Sequence, residues 1–93
     1  MIIKFIGINK VKYKIIELKN IYLYTRNECH LCEIVQQELE SLTMGKADLS
    51  IIYIDNDLEL LKRYGLRIPV VTGDNGELSG YPLDSNAILN YLK

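Results

Sequence analysis

The residues of this chain best suited to covalent chemistry are Cys29 and Cys32, its only two cysteines, in the run Cys29-His30-Leu31-Cys32. An apolar run, Ile21-Tyr22-Leu23-Tyr24, precedes them and a helical pattern follows. A strand feeding a helix whose first turn carries C-x-x-C is the layout of a dithiol redox site. A helix N-terminus presents unpaired backbone N–H groups and a partial positive charge. Both favour a thiolate over a thiol, and the thiolate is the nucleophile of disulfide exchange. The i, i+3 spacing puts both sulfurs on one helical face, where a disulfide can close and reopen. Two other chemistries fit the same pair. C-x-x-C is half of a structural zinc site, but zinc takes four ligands and the one histidine, His30, lies between the cysteines. The second alternative is a pair of unreactive thiols packed in a core.

The elements that must position this pair follow from the hydrophobic pattern. Residues 21–25 read as a short buried strand, and Thr25 to Glu28 as a loop. A helix is expected from Cys29 or His30 to Met44. Its stripe is Leu31, Ile34, Val35, Leu39 and Leu42, with Glu33, Gln36, Gln37 and Glu40 opposite, and Gly45 is its stop. Residues 49–55 make a second strand, apolar enough to be buried on both faces. Asn56 and Glu59 form a capping box for a short helix that runs to Tyr64 and is closed by Gly65. Val70 and Val71 start a third strand. Asp74-Asn75-Gly76 is a hairpin signal, with Glu77 to Gly80 returning antiparallel. The last helix opens at Asp84 as N-cap, with Leu83 and Ile88 as a hydrophobic staple and Ala87, Ile88, Tyr91 and Leu92 inward. The order β-α-β-α-β-β-α predicts an α/β domain. Its first two strands are parallel through a right-handed crossover, its last two form a hairpin, and helices cover both faces of a mixed four-stranded sheet.

The whole chain, at 93 residues, 48% hydrophobic and 25% charged, is sized for one small globular domain. Its net charge of −1 implies no pull toward nucleic acid or an anionic membrane. The charge is uneven. Residues 1–19 hold five lysines and one glutamate, whereas the remainder holds six basic and eleven acidic residues. We read residues 1–20 as a basic N-terminal extension and residues 21–93 as the main domain. Val11, Tyr13 and Ile15 alternate in the extension, and Gly7-Ile8-Asn9-Lys10 could turn it into a β-hairpin; a partly ordered arm is the alternative. No apolar run is long enough to span a membrane, and Lys4 interrupts what would be a signal peptide's apolar region. A cytoplasmic location is therefore expected, where a lone C-x-x-C is catalytic or metal-binding more often than a structural staple.

With C-x-x-C opening the first helix and Ile68-Pro69 opening the third strand, the chain resembles the thioredoxin fold, and more narrowly the glutaredoxin-like proteins. The segments that carry the resemblance are Leu23 to Cys32, Ile54-Asp55, and Tyr64-Gly65-Leu66-Arg67-Ile68-Pro69-Val70, within residues 21–93. The resemblance implies that Cys29 is the exposed nucleophile and Cys32 the resolving thiol. It implies that Pro69 is cis and faces the dithiol, with the backbone of Ile68 offered to a substrate strand. Arg26 matches a basic residue that helps to stabilise the thiolate and meets a carboxylate. His30 stands where most glutaredoxins have proline. A protonated imidazole there would lower the Cys29 pKa, while Glu28 and Glu33 push the other way. The family's glutathione site uses Thr-Val-Pro and a Gly-Gly followed by acids. This chain has Arg67-Ile68-Pro69, and Gly80-Tyr81-Pro82-Leu83-Asp84-Ser85, in which Gly80 and Asp84 keep only the ends of the pattern.

The expected function is thus thiol–disulfide oxidoreduction by Cys29 and Cys32, with Arg26, His30, Ile68, Pro69 and Asp84 around the substrate. The partners expected are a disulfide-containing protein or glutathione as co-substrate and a cellular reductant. A monomer without a resident cofactor or metal is expected. The competing readings are a dimer that holds zinc or an iron–sulfur cluster on two cysteine pairs, and an interaction module that kept the fold.

Overall fold

The computed structural model describes residues 18–93. The expected N-terminal hairpin or arm lies outside the described residues. Seven elements follow in order: β1 (Lys19–Thr25), α1 (His30–Thr43), β2 (Ala47–Tyr53), α2 (Leu58–Tyr64), β3 (Val70–Gly73), β4 (Gly76–Ser79) and α3 (Ser85–Leu92). They build the mixed four-stranded sheet that the pattern predicts, in the order β2-β1-β3-β4. β1 runs parallel to β2, from Lys19 opposite Ala47 to Thr25 opposite Tyr53. It runs antiparallel to β3, with Tyr24 opposite Val70.

The strand period of two sorts the side chains of β1. Ile21, Leu23 and Thr25 are buried on one face. There Ile21 and Leu23 meet Val35 and Leu39 of α1, Val71 of β3 and Ile88 of α3. Each of these aliphatic side chains gains about 1.5–3 kcal/mol by leaving water. Tyr24 belongs to the opposite face. It packs with Ile54, Tyr64, Val70, Leu60, Leu61 and Ile68 beneath α2, and its ring stacks on that of Tyr64 at 4.4 Å between centroids. Helices therefore cover both faces, two on one side and the short α2 on the other.

Several boundaries differ from expectation. β1 begins two residues early and β2 spans 47–53 rather than 49–55. β2 is not buried on both faces. Among the described residues it has only β1 beside it, and it alternates: Ala47, Leu49 and Ile51 pack on the larger core, while Asp48 and Ser50 face solvent. The fully buried residue of that segment is Ile54, just past the strand end. The α2 cap is Asp57, not Asn56: its carboxylate accepts the Leu60 N–H at 3.1 Å. The Asp57 N–H turns back onto the Ile54 carbonyl, and this sets the helix start one residue later, so that Glu59 falls short of the capping-box position. Gly65 ends α2 with right-handed dihedrals, whereas Gly45 after α1 takes φ +73°, the left-handed cap expected of glycine. The hairpin turns at Asp74-Asn75 with Gly73 opposite Gly76, so β4 starts one residue early. A bulge leaves Leu78 as the extra residue between Glu77 and Ser79.

Asp84 caps α3 as expected, accepting from the Ala87 N–H at 3.1 Å. Leu83 and Ile88 both join the larger core around that cap. Tyr91 of α3 does more than line the core. Its phenol donates to the Asn20 carbonyl at 2.8 Å and accepts from the Asp74 N–H at 3.1 Å. Gly73 makes room for its ring, since a Cβ there would lie 2.6 Å from Tyr91 Cζ. Lys19 adds a bond from its ammonium to the Tyr91 carbonyl at 2.7 Å. Beside this group, the Tyr22 hydroxyl lies 3.5 Å from an Asp74 carboxylate oxygen. Loss of hydration and then the Asp74 charge push that phenol above its ordinary pKa.

Candidate active site

The opposite end of the sheet gathers four chain segments. The parallel pairing of β1 and β2 extends one step beyond the strands, through the Ile54 N–H to the Thr25 carbonyl at 2.9 Å. Tyr24 opposite Val70 brings Ile68-Pro69 to the same end. Ser79 opposite Val71 brings the loop after β4 there as well, and Gly80 closes against the Pro69 carbonyl, 3.4 Å from where its Cβ would be.

Cys29 is the N-cap of α1, extended at φ −119° and ψ 103°. Its sulfur accepts the Cys32 N–H at 3.2 Å, the bond by which a side chain at this position satisfies one of the helix's unpaired donors. Here the acceptor is the sulfur itself, so the same N–H is placed to meet a thiolate. The two cysteines are joined as a disulfide with Cα atoms 5.2 Å apart, within the range such a bond requires. They are unequal in access: Cys32 is 1% exposed, whereas Cys29 is half-buried at the surface. Any reagent therefore reaches Cys29 first.

The loop before Cys29 is tightly specified. Both the backbone N–H and the side-chain amide of Asn27 donate to one oxygen of Asp55, at 3.1 and 3.3 Å. Glu28 follows at φ +56°, the left-handed region, which costs a residue with a Cβ about 1 kcal/mol or more. Arg26 stands exposed at the start of this loop. His30 is the first residue of α1, and its ring is 82% exposed with Nδ1 3.7 Å from a Glu33 carboxylate oxygen. An exposed pair of this kind adds little to stability. Ile68 is partly buried and packs its side chain against the cluster beneath α2. The Ile68-Pro69 bond is cis and Pro69 is fully buried at the head of β3; Tyr81-Pro82 is a second cis bond. Arg67 bonds a Glu77 carboxylate oxygen at 2.9 Å and lies 5.6 Å from the Tyr64 ring centroid. That hydrogen bond and the arginine charge hold the Glu77 carboxyl below its ordinary pKa. Asp84 has one carboxylate oxygen engaged in its cap, and its own N–H donates to Ser79 Oγ at 2.8 Å.

Of the residues singled out from sequence, Arg26, Ile68 and Pro69 thus lie on loops at this end of the sheet, Cys29, His30 and Cys32 at the cap and first turn of α1, and Asp84 at the cap of α3. Asp55 and Asn27 lie within the segments that carry the resemblance, and the resemblance implies no role for them. The one signal available for them was an Asp that closes an apolar strand run and an Asn two residues before a helix cap. Among the described residues no group of three or more His, Cys, Asp or Glu side chains gathers as metal ligands, and no helix is long and apolar enough to cross a membrane.

Comparison with known proteins agrees with this geometry. Residues 20–93 match the family model described as Glutaredoxin-like domain (DUF836). None of the curated proteins matches the chain. Among solved structures, the solution structure of protein Ne2328 from Nitrosomonas europaea is similar at 34% identity and a TM-score of 0.75, covering 88% of this chain and 100% of that one. The X-ray structure of target protein XcR50 from X. campestris is similar at 34% identity and a TM-score of 0.63, covering 77% of this chain and 93% of that one. Thioredoxin 1 from Thermosipho africanus shares the fold at 16% identity and a TM-score of 0.57, over 78% of this chain and 93% of its own. With the thioredoxin fold, a Cys29–Cys32 pair at the first helix and a family match across most of its length, the chain belongs to the glutaredoxin-like family.

Proposed function

We propose that this protein is a thiol–disulfide oxidoreductase in which Cys29 attacks and Cys32 resolves. The observation that carries this reading is the asymmetry of the pair: an accessible Cys29 at the helix cap and a Cys32 that is 1% exposed behind it. The Cys29 thiolate attacks one sulfur of a substrate disulfide. A mixed disulfide forms and the first substrate thiolate leaves. Cys32 gives up its proton and attacks the Cys29 sulfur, closing the Cys29–Cys32 bond and expelling the second substrate thiolate. Two electrons pass from the protein to the substrate, and a cellular thiol or dithiol returns them. The N-terminus of α1, through the Cys32 N–H, favours the attacking thiolate.

Arg26 and His30 flank the approach. The backbone of Ile68, held by its partly buried side chain and by Pro69, lines it, and Asp84 stands at the head of α3 beyond. The substrates are a disulfide in a protein or a glutathione mixed disulfide, and the setting is a monomer in the cytoplasm without a resident cofactor. Among the described residues no third His, Cys, Asp or Glu side chain gathers with the cysteine pair, so a metal there would need ligands from beyond them. The test is reduction of a model protein disulfide by the reduced protein. Wild type is expected to turn over, Cys29→Ser to be inactive, and Cys32→Ser to accumulate a mixed disulfide through Cys29. Full activity in Cys29→Ser would sink the proposal.

A further inference from the structure

We propose that Asp55 is a positioning residue for the dithiol: its carboxylate holds Asn27, and through Asn27 the left-handed Glu28, so that Cys29 is delivered to the cap of α1 within reach of Cys32. The inference rests on reading Cys29 and Cys32 as the redox pair.

The connection from β1 to the cap is three residues long, Arg26 to Glu28. Its first end is fixed where the Thr25 carbonyl accepts from Ile54, and its last where the Cys29 sulfur accepts from Cys32. Between those ends the backbone must turn through φ +56° at Glu28, a conformation that L-residues keep only when their surroundings impose it. Asp55 imposes it from the turn that follows β2, because one of its oxygens takes both Asn27 donors. The Asp55 backbone is anchored by its neighbour in turn: Ile54 is fully buried beneath α2 and its N–H donates to the Thr25 carbonyl. Asp55 is therefore fixed to the sheet, and the loop is fixed to Asp55. Disulfide closure depends on how often the Cys29 sulfur meets that of Cys32 in the right geometry, so a loop free to leave the turn would lower it.

Both bonds go to one oxygen, and this separates hydrogen bonding from charge. An asparagine at 55 offers an amide oxygen to the same two donors and no negative charge. The experiment uses the full chain with Asp55→Asn, Asp55→Ala and Asn27→Ala beside wild type. For each, the equilibrium constant for closing the disulfide is measured in a dithiothreitol redox buffer. The pH midpoint of Cys29 alkylation and the urea stability are measured alongside. Asp55→Ala is expected to lower the closure constant about tenfold, within the roughly hundredfold that a misplacement of about 1 Å can cost, and to raise the alkylation midpoint. Asp55→Asn is expected to stay within about twofold of wild type.

If Asp55→Ala loses stability while its closure constant and midpoint stay at wild type, Asp55 is merely structural and the inference is overturned. If Asp55→Asn shifts both as far as alanine does, the charge acts and not the hydrogen bonds, and the inference is overturned again. Should Asp55→Ala fail to fold, Asn27→Ala, which loses one of the two bonds, is expected to shift both quantities in the same direction by less; no shift overturns the inference. A wild-type midpoint at the free-thiol value of about 8.5 would count against the nucleophile reading alone, and the closure constants would still decide the role of Asp55.

Discussion

At its N-terminal end β1 is gripped by Tyr91, whose phenol ties Asn20 of that strand to the Asp74 turn while Lys19 bonds the Tyr91 carbonyl. At its C-terminal end the same strand runs into a three-residue loop that one carboxylate, Asp55, holds in a left-handed turn before Cys29. The first end joins β1, the hairpin and α3 and leaves the phenol's donor and acceptor satisfied. The second leaves Arg26, Asn27 and Glu28 exposed, with Cys29 half-buried beside them. An end that does no chemistry can be closed with packing and paired polar groups, which is where cooperative stability resides. In the proposed function the second end opens a sulfur–sulfur bond and admits a substrate, and such an end keeps its backbone accessible and relies on a few well-placed bonds. Mutations at the two ends should accordingly separate activity from stability.

The largest effect is expected from Cys29→Ser, with disulfide reduction falling by at least about a thousandfold, the scale of nucleophile removal. The reduced variant should unfold in urea close to reduced wild type. A large loss of stability in this variant would break the division between the ends. At the other end, Gly73→Ala forces a methyl into the Tyr91 ring and is expected to cost about 1–3 kcal/mol in urea unfolding, with turnover per folded molecule unchanged. Tyr91→Phe keeps the ring and leaves the Asn20 carbonyl and the Asp74 N–H without their partner, an expected loss of about 1–2 kcal/mol. A fall in turnover per folded molecule in either variant would show that the ends are coupled.

The smallest effect concerns the exposed Arg67–Glu77 pair beside the candidate site. The Glu77 carboxyl is held below its ordinary value of 4.5, first by the Arg67 hydrogen bond. A depressed carboxyl contributes stability that is full above the unfolded value and is lost as pH falls through the folded one. Arg67 is raised above its ordinary value by the same bond, so its share persists through neutral pH and is lost only in strong alkali. Glu77→Gln should therefore lower stability slightly at neutral pH and not at all in strong acid, as read from urea midpoints against pH. An unchanged difference at both would remove the pair from the account.

Much of this arrangement was legible in the sequence wherever the determinant is local. C-x-x-C at a strand–helix junction, Asp84 before Ala87, and Asp74-Asn75-Gly76 each depend on a few adjacent residues, and each sits where the pattern puts it. The choice between Asn56 and Asp57 as cap turned on where the chain leaves β2, since both are good caps and only the bond back to Ile54 decides. Reading β2 as buried on both faces failed because Ile51-Ile52 looks the same at the edge of a sheet as at its centre. Tyr91 was legible as an inward residue, but its hydroxyl partners lie 71 and 17 residues away in the chain. Asp55 escaped for the same reason: its partner Asn27 is 28 residues distant, and a carboxylate at a strand end has no local mark that separates a loop tether from a solvated charge.

The most direct test of the central claim is the alkylation rate of the fully reduced protein against pH, with Cys29→Ser and Cys32→Ser measured beside it. The account predicts a fast phase that depends on Cys29, with a midpoint well below the free-thiol value of about 8.5, and slow reaction at buried Cys32. A midpoint at or above that value, or equal reactivity of the two thiols, would contradict it.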